Sequence, residues 1–219
     1  MNQINKKIED FLRRTFDIIA SLSGLILFLP FMLLLALLIK KEDRGPVFYS
    51  GVRVGRYKKN FEILKFRTMV VDADKMGPSS TADNDPRLTR LGGFIRKYKF
   101  DEVPQLFNVL KGDMSIVGPR PQVPWAVELY NDEEQIILQV RPGITDLASI
   151  KFHNEGEILA GSDNPDKTYM EVIHPEKMKL SIEYVKKRSL VADFKIILLT
   201  IFTLLKMRSH SNVHKKIRC

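Results

Sequence analysis

An uncharged, strongly apolar run near the N-terminus restricts what this chain can fold into. It extends from Ile18 to Ile39, 22 residues without a charged side chain. A straight helix of that length extends ~33 Å, enough to cross a hydrocarbon core of ~30 Å. The run is too long for the apolar part of a cleavable signal peptide, and no small-residue cleavage site follows it. The sequence therefore predicts a segment inserted in a membrane.

The path of this segment through the membrane stays open. Pro30 removes a helical hydrogen bond and divides the run into halves of 12 and 9 residues. Basic residues flank both sides, namely Lys6, Lys7, Arg13 and Arg14 before it and Lys40, Lys41 and Arg44 after it. Because basic flanks tend to stay cytoplasmic, the pattern favours a re-entrant segment that enters and leaves by one face. A single span with Pro30 as a tolerated kink is the alternative, since membrane helices accept proline.

Charge and cysteine content limit the setting and the partners. The 219 residues contain 35 Lys plus Arg against 26 Asp plus Glu, a formal net charge of +9. Such an excess suits nucleic acid, phosphorylated substrates or the cytoplasmic leaflet of a membrane. The only cysteine is Cys219, which excludes an internal disulfide framework and a Cys-ligated zinc site. We expect a membrane-inserted helix over residues 1–41 and one cytoplasmic-face domain over residues 42–219.

The remaining pattern predicts an α+β fold, mostly helical with a small β-hairpin. The hairpin strands are residues 46–54 and 61–68, both rich in aromatic and β-branched side chains. Helices are predicted in two pieces within 87–111 around a break near Phe100, and over 125–140, 175–187 and about 191–207. Residues 72–86 and 165–170 are predicted as loops, 112–121 as a compact Gly/Pro segment, and 141–152 as extended chain.

The last predicted helix permits two interpretations. It is apolar, and a tail without acidic residues follows it, containing Lys206, Arg208, Lys215, Lys216 and Arg218. An apolar helix with a basic end can lie in the headgroup region of a membrane. A last core helix with a solvated tail fits the same residues equally well.

The densest ionic segment contains the candidate chemistry. Asp101 and Glu102 directly follow a stretch whose five charged residues, Arg87, Arg90, Arg96, Lys97 and Lys99, are all basic. Pro104 fits the first turn of a new helix, so the two carboxylates are predicted at a helix N-terminus, where the dipole favours their charged form. Such a pair can bind Mg²⁺ or act as a nucleophile. Ordinary helix capping is the alternative.

Other basic residues lie at rigid positions. Lys65 and Arg67 end the second predicted strand, Arg120 lies between two prolines, and Arg141 precedes a Pro-Gly turn. Arginine on rigid backbone suits bidentate phosphate binding, although solvation or ion pairing explains any one of them alone. Together they favour a diphosphate over nucleic acid, because no aromatic residues are interleaved to form a stacking platform.

Three motifs resemble one family. They are RKYKFDEVPQLFNVLKGDMSIVGPRP over residues 96–121, KFRTM over 65–69 and RPGIT over 141–145. They resemble the signature of bacterial sugar transferases, the monotopic polyprenol-phosphate phosphoglycosyl transferases, in their single-domain form. The resemblance implies transfer of a sugar 1-phosphate from a UDP-sugar to undecaprenyl phosphate with release of UMP, which begins the assembly of a polysaccharide or oligosaccharide. It also implies a re-entrant helix in the bacterial inner membrane, with the active site on the cytoplasmic face.

The resemblance assigns roles to individual residues. Asp101 would be the nucleophile that forms a phosphosugar-aspartyl intermediate, and Glu102 would help to hold Mg²⁺. Candidate contacts to the substrates are Lys65, Arg67, Arg90, Arg96, Arg120 and Arg141. Asp113 and Asp193 are expected to be structural. Direct transfer in a ternary complex, without a covalent intermediate, is the mechanistic alternative.

Two departures from the family pattern leave the donor sugar and the membrane kink open. Residues 146–149 are Asp-Leu-Ala-Ser, where many members have Gly-Trp-Ala-Gln. Leu29 precedes the membrane proline, where some members have Ser. The rival functions are a non-catalytic membrane adaptor and a membrane-tethered nucleic-acid binder. The sequence also leaves the oligomeric state open, a homodimer included.

Overall fold

The computed structural model describes residues 3–78 and 80–216, with side chains described over 7–78 and 80–206. Its helices are α1 (Gln3–Asp43), α2 (Arg90–Lys97), α3 (Gln105–Lys111), α4 (Pro124–Glu128), α5 (Leu147–Lys151), α6 (Glu155–Leu159), α7 (Pro165–Thr168), α8 (His174–Lys187) and α9 (Leu190–Lys216). Short 3₁₀ stretches lie at Arg56–Lys58, Ala73–Lys75, Phe100–Glu102 and Glu134–Gln139, and a π-helical turn at Tyr169–Ile173.

Two small sheets complete the architecture and confirm the predicted α+β class. Strands β1 (Phe48–Val54) and β2 (Asn60–Phe66) pair antiparallel, with Phe48 opposite Phe66. This is the predicted hairpin. Strands β3 (Ser115–Val117) and β4 (Gly143–Thr145) pair in parallel, which the sequence did not predict. The predicted break near Phe100 is also confirmed, since α2 and α3 are separate helices.

Helix α1 is helical on both sides of Pro30 and packs against the rest of the chain along one face. Side chains three to seven residues apart form one buried stripe, consisting of Asp17, Ser21, Leu25, Met32, Leu35 and Ile39. The last four pack in an apolar cluster with Phe66 and Ile95. Other faces of α1 stay apolar and exposed, for example at Ile26 and Leu37. Within the described residues, α1 is the one helix that is long and apolar enough to cross a membrane.

Polar contacts hold the N-terminal half of α1 on the domain. The Asp17 carboxylate accepts hydrogen bonds from the Ser115 hydroxyl at 3.0 and 2.8 Å and from the Ile116 amide at 2.9 Å. Arg14 donates to the carbonyl oxygens of Val109 at 2.6 Å and Leu110 at 2.8 Å. Both carbonyl groups lie in the last turn of α3, and that of Val109 also accepts from the Gly112 amide at 3.0 Å, so Arg14 connects α1 to the end of that helix.

The C-terminal end of α1 is held on the same domain. The Arg67 guanidinium pairs with the Asp43 carboxylate. It also donates to the carbonyl oxygens of Pro46 at 2.5 Å and Met69 at 3.0 Å. Both ends of α1 therefore contact one domain, and the helix lies alongside that domain.

One predicted helix is interrupted. Residues 125–140 form α4 and then, after a break, the 3₁₀ stretch Glu134–Gln139. Asn131 starts that stretch, because its side chain accepts from the Glu134 amide at 3.0 Å while the Glu134 carboxylate accepts from the Asn131 amide at 2.9 Å. This reciprocal pair is a capping box, which begins a new helical segment.

Capping also explains two further wrong predictions. Residues 141–152 were predicted to be extended, but only Gly143–Thr145 is a strand. The Asp146 carboxylate accepts from the Ser149 amide at 2.6 Å and starts α5. Residues 165–170 were predicted as a loop, but the Asn164 side chain accepts from the Lys167 amide at 3.0 Å and starts α7. In both cases a single side-chain hydrogen bond selects a helix.

Helices α8 and α9 confirm the predicted C-terminal helices. Asp193 on α9 is structural, as predicted, because it accepts from Arg13 at 2.5 Å and from the Tyr184 hydroxyl at 2.6 Å. Ile196 packs in the core, whereas Phe194 and Phe202 are exposed, so α9 is a core helix with an apolar outer face. Of the basic tail, Arg218 lies outside the described residues, as do the side chains of Arg208, Lys215 and Lys216.

Replacing Asp17 by alanine is expected to lower the free energy of unfolding by about 2 kcal/mol, because the partly buried Ile116 amide and the buried Ser115 hydroxyl lose their acceptor. The melting temperature of the detergent-purified protein measures the effect. Lys41→Ala removes an exposed side chain of the same helix and should change stability by less than about 0.5 kcal/mol. Equal melting temperatures for the two variants would contradict the role given to Asp17.

Candidate active site

Asp101 and Glu102 lie in the 3₁₀ turn between α2 and α3. Lys99 adopts a left-handed backbone conformation with φ 58°, which ends α2 and redirects the chain into this turn. Pro104 then precedes α3, in agreement with the predicted helix start. Asp101 is only 6% exposed, and the side chain of Glu102 is 14% exposed. The sequence therefore predicts correctly that the pair comes just before α3. Both side chains are largely buried, whereas capping carboxylates are commonly exposed to solvent.

Two cations neutralise Glu102. The Lys65 ammonium, from β2, lies 2.9 Å from Oε1 of Glu102. Arg120, from the segment after β3, donates to both carboxylate oxygens, at 3.3 Å to Oε2 and more closely to Oε1. Burial by itself raises the pKa of Glu102, but the charges of Arg120 and Lys65 outweigh it and hold that pKa well below its usual range. Glu102 is thus an ionised carboxylate with both oxygens engaged.

The neighbouring Asp101 is in a different electrostatic state. Burial raises its pKa, and the ammonium of Lys65, 3.7 Å from Oδ2, only partly offsets this effect. Its other oxygen, Oδ1, is buried and has no hydrogen-bond partner among the described residues. An unpaired buried acceptor costs free energy, so a bound ligand that engages this oxygen is favoured. Asp101 is the carboxylate available for chemistry.

Two further cations act on the pair. The positive charges of Arg96 and Lys99 both lower the pKa of Asp101. Arg96 also donates to the Thr81 carbonyl oxygen at 3.4 Å. Four cations thus face two carboxylates, which leaves the site positive and suited to a phosphate group. The sequence pattern does not distinguish Lys99 from the other basic residues between Arg87 and Phe100.

Three of the predicted substrate contacts are not brought to the Asp101–Glu102 pair. The polar partners of Arg67 are Asp43 and two backbone carbonyl groups. Arg141 donates to the carbonyl oxygen of Gly112 at 2.8 Å, at the end of α3. Arg90 is exposed in the first turn of α2, with no described bond to the pair. The structure gives Arg67 and Arg141 structural contacts, and brings Lys65, Arg96 and Arg120 to the site.

Sequence analysis also missed a cleft beside Arg120. The backbone amide of Arg120 donates to the buried Asp146 carboxylate at 3.2 Å. Arg120 and Asp146 line a narrow cleft together with Gln122, Tyr130, Ser149, Tyr169 and Lys177. The one available signal was the departure from the family pattern at residues 146–149, since two of the lining residues belong to it.

The pair fits a magnesium ion only together with a phosphate ligand. In the described part of the chain, no group of three or more His, Cys, Asp or Glu side chains is arranged to hold a metal ion. Mg²⁺ in phosphate-transferring sites is commonly held by one or two carboxylates plus the substrate phosphates. The unpaired oxygen of Asp101 meets that requirement, whereas Glu102 would have to exchange a contact with Lys65 or Arg120.

Comparison with known proteins identifies the family. The family model described as bacterial sugar transferase matches residues 8–207. This chain belongs to the bacterial sugar transferase family. It is 38% identical over 198 residues to the UDP-N-acetylgalactosamine-undecaprenyl-phosphate N-acetylgalactosaminephosphotransferase of Aeromonas hydrophila, covering 89% of this chain and 44% of that protein. It is 42% identical over 169 residues to the undecaprenyl-phosphate galactose phosphotransferase of Salmonella typhimurium, covering 70% of this chain and 35% of that protein.

A shorter member of the family matches this chain over most of the length of that member. The exopolysaccharide production protein ExoY of Rhizobium meliloti is 35% identical over 204 residues, which cover 86% of this chain and 83% of ExoY. The chain thus spans less than half of the Aeromonas and Salmonella relatives but most of ExoY. The matched region contains all residues of the candidate site.

The charge pairing at Glu102 predicts how the stability of the transferase depends on pH. The folded-state pKa of Glu102 lies below that of the unfolded chain, about 4.3, so its contribution is complete above that value and is lost as pH falls. Replacing Arg120 by methionine raises the folded-state pKa and should weaken this acid dependence. Melting temperatures between about pH 6 and pH 3.5 measure it. Arg90→Met, an exposed control, should keep the wild-type profile, and an identical profile in Arg120→Met would refute the pairing.

Proposed function

We propose that this chain is a phosphoglycosyl transferase. It moves a sugar 1-phosphate from a UDP-sugar to undecaprenyl phosphate, releases UMP, and so initiates assembly of a polysaccharide or oligosaccharide. The observation that carries the proposal is the buried Asp101 carboxylate, which has an unpaired oxygen and is acted on by the positive charges of Lys65, Arg96 and Lys99. Two relatives, both named as undecaprenyl-phosphate sugar phosphotransferases, support the same reaction class.

In the first step, a carboxylate oxygen of Asp101 attacks the β-phosphorus of the UDP-sugar. The bond between that phosphorus and the bridging oxygen breaks, and UMP leaves with the electron pair. The sugar 1-phosphate stays on Asp101 as an acyl phosphate. Since an anion attacks an anionic diphosphate, fixed positive charge is required, and Lys65, Arg96 and Lys99 act on Asp101 in this way.

In the second step, a phosphate oxygen of undecaprenyl phosphate attacks the same phosphorus. The bond from phosphorus to Asp101 breaks, and the free carboxylate is restored. Two steps allow a soluble donor and a membrane-held acceptor to use one site in turn. Glu102 stays ionised throughout and holds Lys65 and Arg120 in position. Direct transfer between donor and acceptor is the alternative that the experiment below separates.

Glu102, exchanging one contact with Lys65 or Arg120, would hold Mg²⁺ together with the donor diphosphate, beside the unpaired oxygen of Asp101. When bound, the ion supplies positive charge that keeps a carboxylate ionised and stabilises the leaving phosphate. This chemistry matches the state of Asp101, because burial raises its pKa and a nucleophilic carboxylate has to be ionised.

Release of UMP by the protein in nanodiscs, with Mg²⁺, undecaprenyl phosphate and a panel of UDP-sugars, tests the proposal. Asp101→Asn should reduce release by at least about 10³-fold, since it removes the nucleophile with little change in shape. Glu102→Gln should also reduce it strongly. Asp113→Asn changes a neighbouring carboxylate outside the site and should keep wild-type activity. Undiminished release in Asp101→Asn would contradict the assignment.

The same preparation without acceptor separates the two mechanisms. With the active donor labelled in its β-phosphate, the two-step reaction should leave label on the peptide that contains Asp101, and undecaprenyl phosphate should remove it. A direct transfer leaves the protein unlabelled. An adaptor or a nucleic-acid binder would release no UMP from any donor.

We also propose that α1 is re-entrant, with the site at the cytoplasmic face of the membrane. Contacts at both ends of α1 support this, through Asp17 near one end and Asp43 at the other, because both lie on one domain. Phe31, next to Pro30, packs against Phe100 with ring centroids 4.6 Å apart. The centre of the apolar segment therefore contacts the turn that carries the nucleophile.

Cysteine labelling tests the re-entrant path. Lys7→Cys and Lys41→Cys, each combined with Cys219→Ser, place a thiol near either end of the apolar segment. A membrane-impermeant maleimide added to intact spheroplasts should label neither, and both should react after permeabilisation. Labelling of one position from outside would establish a single span.

A further inference from the structure

The cleft beside Arg120 has features of a binding site in its own right. It is called the Arg120 cleft here and is lined by Arg120 with Gln122, Tyr130, Asp146, Ser149, Tyr169 and Lys177. Arg120 connects it to the proposed active site, because its guanidinium binds Glu102 while its backbone amide binds Asp146. A ligand in the cleft would therefore share Arg120 with the proposed active site.

Two hydroxyl groups in the Arg120 cleft have no partner. Tyr130 Oη and Ser149 Oγ are both buried and make no hydrogen bond within the described residues. A buried hydroxyl left unpaired is unfavourable, and folded proteins contain few of them. Burial raises the pKa of Tyr130, so its hydroxyl keeps its proton and, like that of Ser149, can both donate and accept.

The charged groups of the cleft are already paired. Lys177 forms an ion pair with Glu155 and lies 5.1 Å from the centre of the Tyr169 ring. The Asp146 carboxylate accepts from the amides of Arg120 and Ser149. The buried groups of the cleft that have no partner are therefore the neutral hydroxyls of Tyr130 and Ser149, which suit an uncharged polar ligand rather than a second phosphate.

We infer that the Arg120 cleft binds one edge of the donor's sugar ring and selects the sugar through the hydroxyls of Tyr130 and Ser149. The inference rests on the proposed function. The sugar is attached to the phosphorus that Asp101 attacks, so it lies nearer the pair than the uridine, which is one phosphate further away. Ser149 also belongs to the segment in which this chain departs from many family members, as expected for a residue that sets donor preference.

Donor binding and turnover of the full-length protein test this role. Tyr130→Phe and Ser149→Ala each remove one unpaired oxygen, and Tyr57→Phe removes an exposed hydroxyl outside the cleft as the control. Binding of UDP-sugars and of UDP is measured by titration calorimetry in the Asp101→Asn background, where turnover is blocked. UMP release from the same donors is measured with Asp101 intact.

We expect both cleft variants to lower affinity and kcat/KM for the preferred donor by ~3- to 10-fold, as for one hydrogen bond to an uncharged group. The preference over the donor's epimer or N-acetyl counterpart should shrink by a similar factor, while UDP binds unchanged. An equal loss for UDP would assign the cleft to uridine and overturn the inference. Unchanged donor affinity and preference would overturn it as well.

These outcomes are distinguishable from failure of the proposed function. Donor binding that depends on Tyr130 and Ser149, without UMP release by the wild type, would support donor recognition by the Arg120 cleft and refute the proposed reaction. UMP release that neither variant changes would support the proposed reaction and refute donor recognition by the Arg120 cleft. If no UDP-sugar binds, both are refuted.

Discussion

Two adjacent carboxylates in a buried turn repel each other, and the arrangement around them depends on how that repulsion is offset. Glu102 is paired with Lys65 from the hairpin and with Arg120 from the segment after β3. A buried carboxylate without such partners would be strongly destabilising. The hairpin, the α2–α3 turn and the β3–β4 pair are therefore held together by the same ion cluster that makes the site positive.

This pairing is unequal, and the inequality separates the two carboxylates by role. Arg120 and Lys65 hold the pKa of Glu102 well below its usual range, while burial raises that of Asp101. Titratable neighbours whose environments push their pKa values apart are typical of sites where one group positions and the other reacts. Glu102 fixes the cations, and an oxygen of Asp101 is left without a partner.

The sequence predicted the parts of the site that depend on local chemistry. The hairpin, the break near Phe100 and the pair before Pro104 all follow from short-range patterns, and the structure has each of them. Lys65 and Arg67 could not be told apart in this way, because they lie two residues apart at the end of one predicted strand and only their distant partners differ. Lys65 meets Glu102, whereas Arg67 meets Asp43.

Capping decided two helices that the sequence pattern did not predict. Asp146 and Asn164 each form one hydrogen bond to a backbone amide three residues later, and each starts a helix where extended chain or loop was expected. Propensity is a weak guide in segments this short, since one side-chain bond outweighs it. The Arg120 cleft was missed for the same reason, because Asp146 and Ser149 reach it only once α5 has formed.

Helix α1 and the turn that contains Asp101 and Glu102 form one packed unit. Phe100, Val103 and Leu106 surround Asp101 and Glu102 in sequence, and all three pack into the cluster that contains Leu25, Met32 and Leu35 of α1. The position of Asp101 relative to the apolar segment is therefore set by side-chain packing, which a flexible tether would not achieve. A fixed height of Asp101 relative to the membrane matters in the proposed reaction, because the acceptor is held by a lipid chain and its phosphate stays near the membrane surface. In the proposed reaction, packing of the Asp101 turn onto α1 would bring the carboxylate to that phosphate without the acceptor leaving the bilayer.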